Sequence, residues 1–157
     1  MALELTPELV WLEKDLEGIR TNEELLTALG RKMTALGFAK EGYEKALLDR
    51  ERKYPTGLPS LPVPVAIVHA DACWVQRSAL GFARPPEPVL FSNMVAPDEK
   101  LPVRLVFLLA VAESDAHTSV LADAVGMIQK ADLIESLLRE TDKELIVSTL
   151  AGELGST

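Results

Sequence analysis

The sequence predicts an α/β protein, with a mixed β-sheet flanked by helices in a single compact domain. Apolar residues recur at helical spacing in the first and last thirds of the chain, whereas short β-prone runs fill the middle. The 157 residues, 48% of them hydrophobic, suit one domain with a substantial core. Each apolar helix face must be buried against something, which places the helices around the sheet.

The first helices are predicted by their caps. Residues 1–20 form either a short helix, capped at Thr6 and followed by Pro7, or an N-terminal extension. Thr21 and Glu24 have the spacing of a capping box, and a leucine-rich helix follows as far as Gly37. A second helix is expected over 41–52, and Pro55 prevents its continuation.

Four strands are expected in the middle of the chain. The β-prone run 65–68 is bounded by prolines on its N-terminal side. Further candidates are 74–80, 89–95 and 103–112, and the last is continuously apolar, which is typical of a central strand covered on both faces.

The C-terminal third is predicted to be helical. Ser114 or Asp115 can cap a helix that extends through Ile128, and a short helix is expected over 131–138. Thr141 and Glu144 repeat the capping-box spacing ahead of a last helix. The domain is predicted to span 21–150, with a frayed tail over 151–157.

The composition excludes several classes of function. Sixteen basic and twenty-four acidic residues give a net charge of -8, which opposes binding to nucleic acid. The N-terminus has no secretion signal, and the longest apolar run, 105–112, is too short to insert into a membrane. Cys73 is the only cysteine, which excludes an internal disulfide. A cytoplasmic location is expected.

The two histidines are the candidate chemical residues. His69 closes the strand 65–68 and His117 lies at a helix start, and such positions often present polar groups to ligands. Position alone leaves a structural role open for both. An alternative role for both histidines is a zinc site, formed by His69, His117 and either Asp71 or Asp115. The histidines lack the tight spacing of recognisable zinc motifs, so no metal is expected.

Three segments of the chain resemble a known family. Residues 50–58 read RERKYPTGL, residues 65–71 read VAIVHAD, and residues 115–117 read DAH after the apolar strand. This order is similar to the fructose, mannitol and galactitol type of enzyme IIA in bacterial sugar phosphotransferase systems. The resemblance extends from about residue 23 to residue 150. Val68 stands where the family usually has proline, and Pro64 where it often has glycine.

The resemblance implies a phosphocarrier that works through a phosphohistidine. His69 is expected to be the phosphorylated nucleophile and His117 an auxiliary group, whose loss impairs transfer more than it prevents phosphorylation. The implied partners are the phosphocarrier protein HPr, which supplies the phosphate, and an enzyme IIB, which accepts it. No cofactor is implied. The motif around His69 looks closest to the galactitol-like branch.

Four further residues are expected around the phosphate. The forked guanidinium of Arg50 matches phosphoryl oxygens, although it also suits a solvated helix end. Thr56 and Gly57 are expected to contact phosphate through a hydroxyl and backbone N–H groups, or to form an ordinary turn. Asp71 is expected to orient His69 or contact a partner, although its charge also repels phosphate.

Two alternative functions remain open at this point. A regulatory relative of the nitrogen-related type would use the same histidine but act by binding proteins. A scaffold would keep the fold without phosphorylation, although both histidines are retained.

Overall fold

A computed structural model describes residues 3–113 and 117–154. Five helices are assigned in this part of the chain: α1 (Asn22–Ala35), α2 (Tyr43–Lys53), α3 (His117–Ile128), α4 (Ala131–Arg139) and α5 (Lys143–Leu154). The strands are β1 (Val10–Trp11), β2 (Gly57–Leu58), β3 (Val65–His69), β4 (Ala79–Ala83), β5 (Val89–Ser92), β6 (Lys100–Val103) and β7 (Leu105–Ala110).

The main sheet is mixed and has the strand order β1-β4-β7-β3-β2. β3 and β7 run parallel at its centre, with His69 opposite Leu109, while β4 and β2 are antiparallel to their neighbours. β5 and β6 form a separate antiparallel pair. The predicted fold class, a mixed sheet flanked by helices, is confirmed.

Helices cover both faces of the sheet, which produces two hydrophobic cores. Along β3, Ala66 and Val68 belong to the core shared with α1 and α2. Val65 and Ile67 belong to the core shared with α3, α4 and α5. Every residue of β7 is buried. This confirms the central, covered strand that its uninterrupted apolar run predicted.

The α1–α2 hairpin is the most accurately predicted element. The Glu24 backbone N–H donates to the Thr21 hydroxyl, and the Thr21 N–H donates to the Glu24 carboxylate, both at 3.1 Å. The helix ends before Gly37, which has a φ of +85°. Gly30 permits close packing, because a Cβ there would lie 2.5 Å from the Glu44 Cα.

Two sequence predictions were wrong, and one strand was missed. The N-terminal region forms two 3-10 turns around β1, which pairs with β4, and not one helix. The expected strand 74–80 begins only at Ala79, because the Gln76 and Arg77 N–H groups donate to the Phe38 carbonyl and not to a neighbouring strand. β6 was missed because it contains Pro102, and proline argues against a central strand. Proline is tolerated here because Pro102 is exposed and β6 belongs to a two-stranded ribbon.

The C-terminal predictions are partly confirmed. α4 lies close to its predicted position, and α3 extends to Ile128 as expected. Ser114 and Asp115, the proposed cap residues, lie outside the described residues. Asp142, and not Thr141, caps the last helix, because its carboxylate accepts from the backbone N–H groups two and three residues later. That helix continues to Leu154, so residues 151–154 are not a frayed tail.

Arg84 joins three separate parts of the chain just after β4. Its buried guanidinium donates to both carboxylate oxygens of Glu13, at 2.7 and 3.1 Å, and to the carbonyls of Leu137 and Glu140 at 2.7 Å. Burial raises the pKa of Glu13, but hydrogen bonding and charge from Arg84 outweigh this and hold it below its ordinary value. Arg84 therefore ties the N-terminal segment to the end of α4.

Replacing Arg84 with alanine is expected to lower the free energy of unfolding by about 3 kcal/mol, because two buried carbonyls and one carboxylate lose their donor. Urea denaturation followed by circular dichroism measures the loss. Arg20→Ala is the matched control, since the Arg20–Glu87 pair is largely exposed and is expected to contribute less than about 1 kcal/mol. Equal losses in the two variants would contradict the role assigned to Arg84.

Candidate functional site

His69 is the last residue of β3, at the carboxyl edge of the parallel β3–β7 pair. Its side chain is buried, with 6% of the residue exposed. β7 ends one residue beyond the partner of His69, and α3 begins at His117 after the connection 111–116. The connection from β7 to α3 therefore leaves from the edge of the sheet that carries His69. The side chain of His117 is outside the described residues.

Two contacts define the protonation of the His69 ring. A guanidinium nitrogen of Arg50, Nη2, lies 3.3 Å from Nε2 of His69, and Nδ1 lies 3.4 Å from the Ile67 carbonyl oxygen. Arginine only donates and a carbonyl only accepts, so these two contacts favour the neutral tautomer with its proton on Nδ1. Nε2 then holds the lone pair that a nucleophile requires.

Arg50 is held beside the ring by residues from two segments. Its guanidinium carbon lies 4.7 Å from the centre of the Tyr54 ring, a cation–π distance. Its Nη1 lies 3.8 Å from the Asp71 carboxylate in the loop after β3. Arg50 Nε is buried and has no acceptor among the residues described. The guanidinium therefore has an unused donor in addition to its present contacts.

A groove of about 530 Å³ runs along the exposed face of α2, and Arg50 forms part of its wall. Lys45, Asp49 and Lys53 follow one another at four-residue spacing on this face, and Asp71 and Trp74 close the other side. The groove combines cationic, anionic and aromatic side chains next to His69. Its position and composition suit the docking of a protein surface.

Thr56 precedes β2 and Gly57 is its first residue, and neither lines this groove. The Thr56 backbone N–H donates to Glu51 Oε2 at 2.9 Å, and its hydroxyl donates to Glu51 Oε1 at 2.6 Å. A Cβ on Gly57 would lie 2.6 Å from the Ser92 carbonyl oxygen, so only glycine fits. The phosphate contacts expected of Thr56 and Gly57 stay predictions.

Glu51 was not singled out by the sequence reasoning, although it is one of five buried polar or charged residues of the described chain. Burial raises the pKa of its carboxyl group, against the opposing effect of the two Thr56 hydrogen bonds. The Glu-Thr spacing across Pro55 was the available signal. A glutamate in a charged run ordinarily indicates a solvated helix end, and that reading concealed it.

Two other properties bear on the functional class. Within residues 3–113 and 117–154, no three His, Cys, Asp or Glu side chains lie together in a way that would hold a metal ion. No helix in those same ranges is long and apolar enough to cross a membrane. Cys73 is exposed.

The sequence matches a family of known proteins over almost its whole length. Residues 5–152 match the family described as "Phosphoenolpyruvate-dependent sugar phosphotransferase system, EIIA 2". The galactitol-specific EIIA component of Escherichia coli K12 is 30% identical over 122 residues, which are 78% of this chain and 81% of that protein. The transcriptional regulator ManR of Bacillus subtilis is 30% identical over 148 residues, which are 92% of this chain and 21% of the regulator.

Solved structures agree with this match. The complex of enzyme IIA and phosphorylated enzyme IIB for mannitol from Escherichia coli contains a similar chain, with a TM-score of 0.77, 25% identity, and coverage of 96% of this chain and 99% of that one. The nitrogen regulatory protein IIA-Ntr of Neisseria meningitidis has a TM-score of 0.74 and 27% identity, with coverage of 93% and 95%.

The contact between Arg50 and His69 predicts the tautomer of the unphosphorylated protein. In its neutral form the His69 ring is expected to carry its proton on Nδ1, which long-range ¹H–¹⁵N correlation spectra of the ring detect. Arg50→Ala is expected to shift the population toward the Nε2–H form. Arg52→Ala is the control, because Arg52 lies on the same helix but pairs with Glu23 and Asp49. A wild-type ring protonated at Nε2 contradicts the assignment.

Proposed function

The chain belongs to the enzyme IIA type 2 family of the phosphoenolpyruvate-dependent sugar phosphotransferase system, and from this premise we propose that His69 carries the phosphoryl group. Members of this family are phosphocarriers that pass phosphate to an enzyme IIB, and so is this chain. The observation that carries the assignment of His69 is the pair of contacts around its ring, which leaves the lone pair on Nε2.

The reaction at His69 follows from this geometry. Nε2 attacks the phosphorus of a phosphohistidine on the donor protein, the new N–P bond forms, and the electron pair of the broken N–P bond stays on the donor's nitrogen. Nδ1 keeps its proton toward the Ile67 carbonyl throughout. In transfer to enzyme IIB, a nucleophilic side chain of that protein attacks the phosphorus and forms the new bond, and the electron pair of the broken His69 N–P bond returns to Nε2.

Arg50 must change its partner during this reaction, because Nη2 now occupies the direction from which phosphorus approaches Nε2. The guanidinium then donates to phosphoryl oxygens, for which its planar fork is well matched. Its buried Nε–H supplies a further donor. Asp71 keeps the guanidinium near the ring while it changes partners.

The other expected site residues have proposed roles of the same kind. His117 begins α3 at the edge of the sheet that carries His69, and we assign to it the auxiliary role of contacting the phosphoryl oxygens or the ring. A helix N-terminus favours negative charge, which supports that placement. Thr56 and Gly57 are proposed to contribute to phosphate binding through the turn that precedes β2.

The proposed donor is the phosphocarrier protein HPr, and the proposed acceptor is the enzyme IIB of a galactitol-like or related sugar system in the cytoplasm. The similarity to galactitol- and mannitol-specific components supports this sugar class. The structure of the mannitol IIA in complex with its phosphorylated IIB supports the acceptor. A regulatory role is the second candidate, because the nitrogen regulatory IIA is of comparable structural similarity. The regulatory role is not better supported than the role in a sugar system.

Phosphorylation at His69 is expected in the presence of phosphoenolpyruvate, enzyme I and HPr, and intact-mass spectrometry measures the added phosphate. His69→Ala is expected to take up none. His117→Ala is expected to be phosphorylated but to pass the group on at least about tenfold more slowly, because it removes stabilisation of the transferring charge. A well-folded wild type that stays unphosphorylated beside a competent control carrier would overturn the proposal.

The acceptor distinguishes the sugar class and the regulatory role. Phosphorylated protein is to be mixed with enzyme IIB proteins for galactitol, mannitol and fructose, and the loss of phosphate from His69 followed in time. The galactitol IIB is expected to accept phosphate fastest. Faster transfer to another IIB corrects the sugar class, and transfer to none of the three favours the regulatory role.

A further inference from the structure

We propose that Glu51 is a positioning residue for phosphoryl transfer, which holds Arg50 against His69 by fixing the end of α2 to Thr56. This inference rests on the proposed function of His69 and deepens it. Glu51 lies beside Arg50 in the last turn of α2, and both of its carboxylate oxygens accept hydrogen bonds from Thr56.

The contact between Glu51 and Thr56 is a buried, two-point attachment. Glu51 is 7% exposed and Thr56 is 6% exposed. Both carboxylate oxygens are used, one by the backbone N–H and one by the hydroxyl of Thr56. Two simultaneous bonds at 2.9 and 2.6 Å restrict the position and the rotation of the helix end more than one bond does.

Thr56 is a suitable anchor because the residue after it is fixed to the sheet. Gly57 pairs with Ala66 in β3, and its carbonyl accepts the Met94 N–H at 2.8 Å from the β5–β6 hairpin. The tight approach of Ser92 to Gly57 allows little movement. Through Thr56 and Gly57, Glu51 thus fixes the last turn of α2 relative to β3, the strand that ends in His69.

The turn that Glu51 closes also places the aromatic ring of Tyr54 against the Arg50 guanidinium. The Tyr54 backbone N–H donates to the Arg50 carbonyl at 2.8 Å, and the Tyr54 ring lies 4.7 Å from the guanidinium. Residues 51–56 form a short loop whose two ends are joined by Glu51 and Thr56. Loss of this closure frees Tyr54 and allows Arg50 to leave Nε2 of His69.

Substitutions separate this role from the charge of Glu51. In Glu51→Gln the amide oxygen can accept from the Thr56 N–H while the amide nitrogen donates to the Thr56 hydroxyl, so both bonds survive. Glu51→Ala removes both bonds and leaves two buried donors without acceptors. Thr56→Val keeps only the backbone bond, and Thr56→Ser keeps both.

The test combines kinetics with the tautomer of His69. Glu51→Ala is expected to lower kcat for phosphorylation by phospho-HPr on the order of ten- to a hundredfold, with KM little changed. It is also expected to raise the Nε2–H population of the unphosphorylated ring. Thr56→Val is expected to show smaller changes in both. Glu51→Gln is expected to stay near wild type, and Thr56→Ser is expected to keep the wild-type tautomer.

Asp142→Ala controls for lost stability, because it removes the cap of α5 on the other face of the sheet. Wild-type kcat and tautomer in folded Glu51→Ala would overturn the proposal, as would equal losses in Asp142→Ala. If Glu51→Ala does not fold, Thr56→Val and Thr56→Ser decide by the tautomer of the unphosphorylated His69 ring. The tautomer is measured on the unphosphorylated protein, so it tests the role of Glu51 even if His69 accepts no phosphate. Absence of phosphorylation at His69 would be a failure of the proposed function and not of this inference.

Discussion

The parallel pairing of β3 with β7 determines where the reacting residues meet. Both strands end at the same edge of the sheet, with His69 opposite Leu109, so the connection into α3 leaves from beside the histidine. The helices on the two faces then bring α2 to one side of this edge and α3 to the other. A chain with this strand order needs no long loop to assemble the site, because two helix ends and one strand end converge by packing alone.

One contact within this arrangement serves two opposing requirements. Arg50 selects the tautomer with a lone pair on Nε2, yet it also covers the atom that must react. The exchange of a neutral ring nitrogen for charged phosphoryl oxygens is favourable to a guanidinium, because charge-assisted hydrogen bonds are about twice as strong as neutral ones. In the proposed reaction, approach of the phosphoryl group is therefore expected to draw the arginine away from Nε2. The Tyr54 ring and Asp71 limit how far it moves.

The sequence predicted the features that depend on local chemistry or on a recognisable motif. The capping box of α1 was correct because Thr21 and Glu24 satisfy each other within one turn of chain. His69 and Arg50 were selected by their resemblance to a family motif, and their contact is a long-range consequence that spacing alone does not give. Pro102 and the N-terminal strand were misjudged because partners distant in sequence override local propensity. Glu51 was overlooked because its burial comes from packing between α2 and the start of β2.

Phosphoryl chemistry and partner choice are carried by different side chains. In the proposed reaction, Nε2, its tautomer and the arginine act in the same way with any phosphoryl donor or acceptor, so they do not distinguish one enzyme IIB from another. Discrimination must come from residues that touch the partner without touching phosphorus. Along the groove, Lys45, Asp49 and Lys53 alternate in charge. The aromatic ring of Trp74 lies across the groove, which Arg50 also lines. Because like charges repel, a partner with the same charge pattern at these positions would bind this face of α2 less well than one with the complementary pattern.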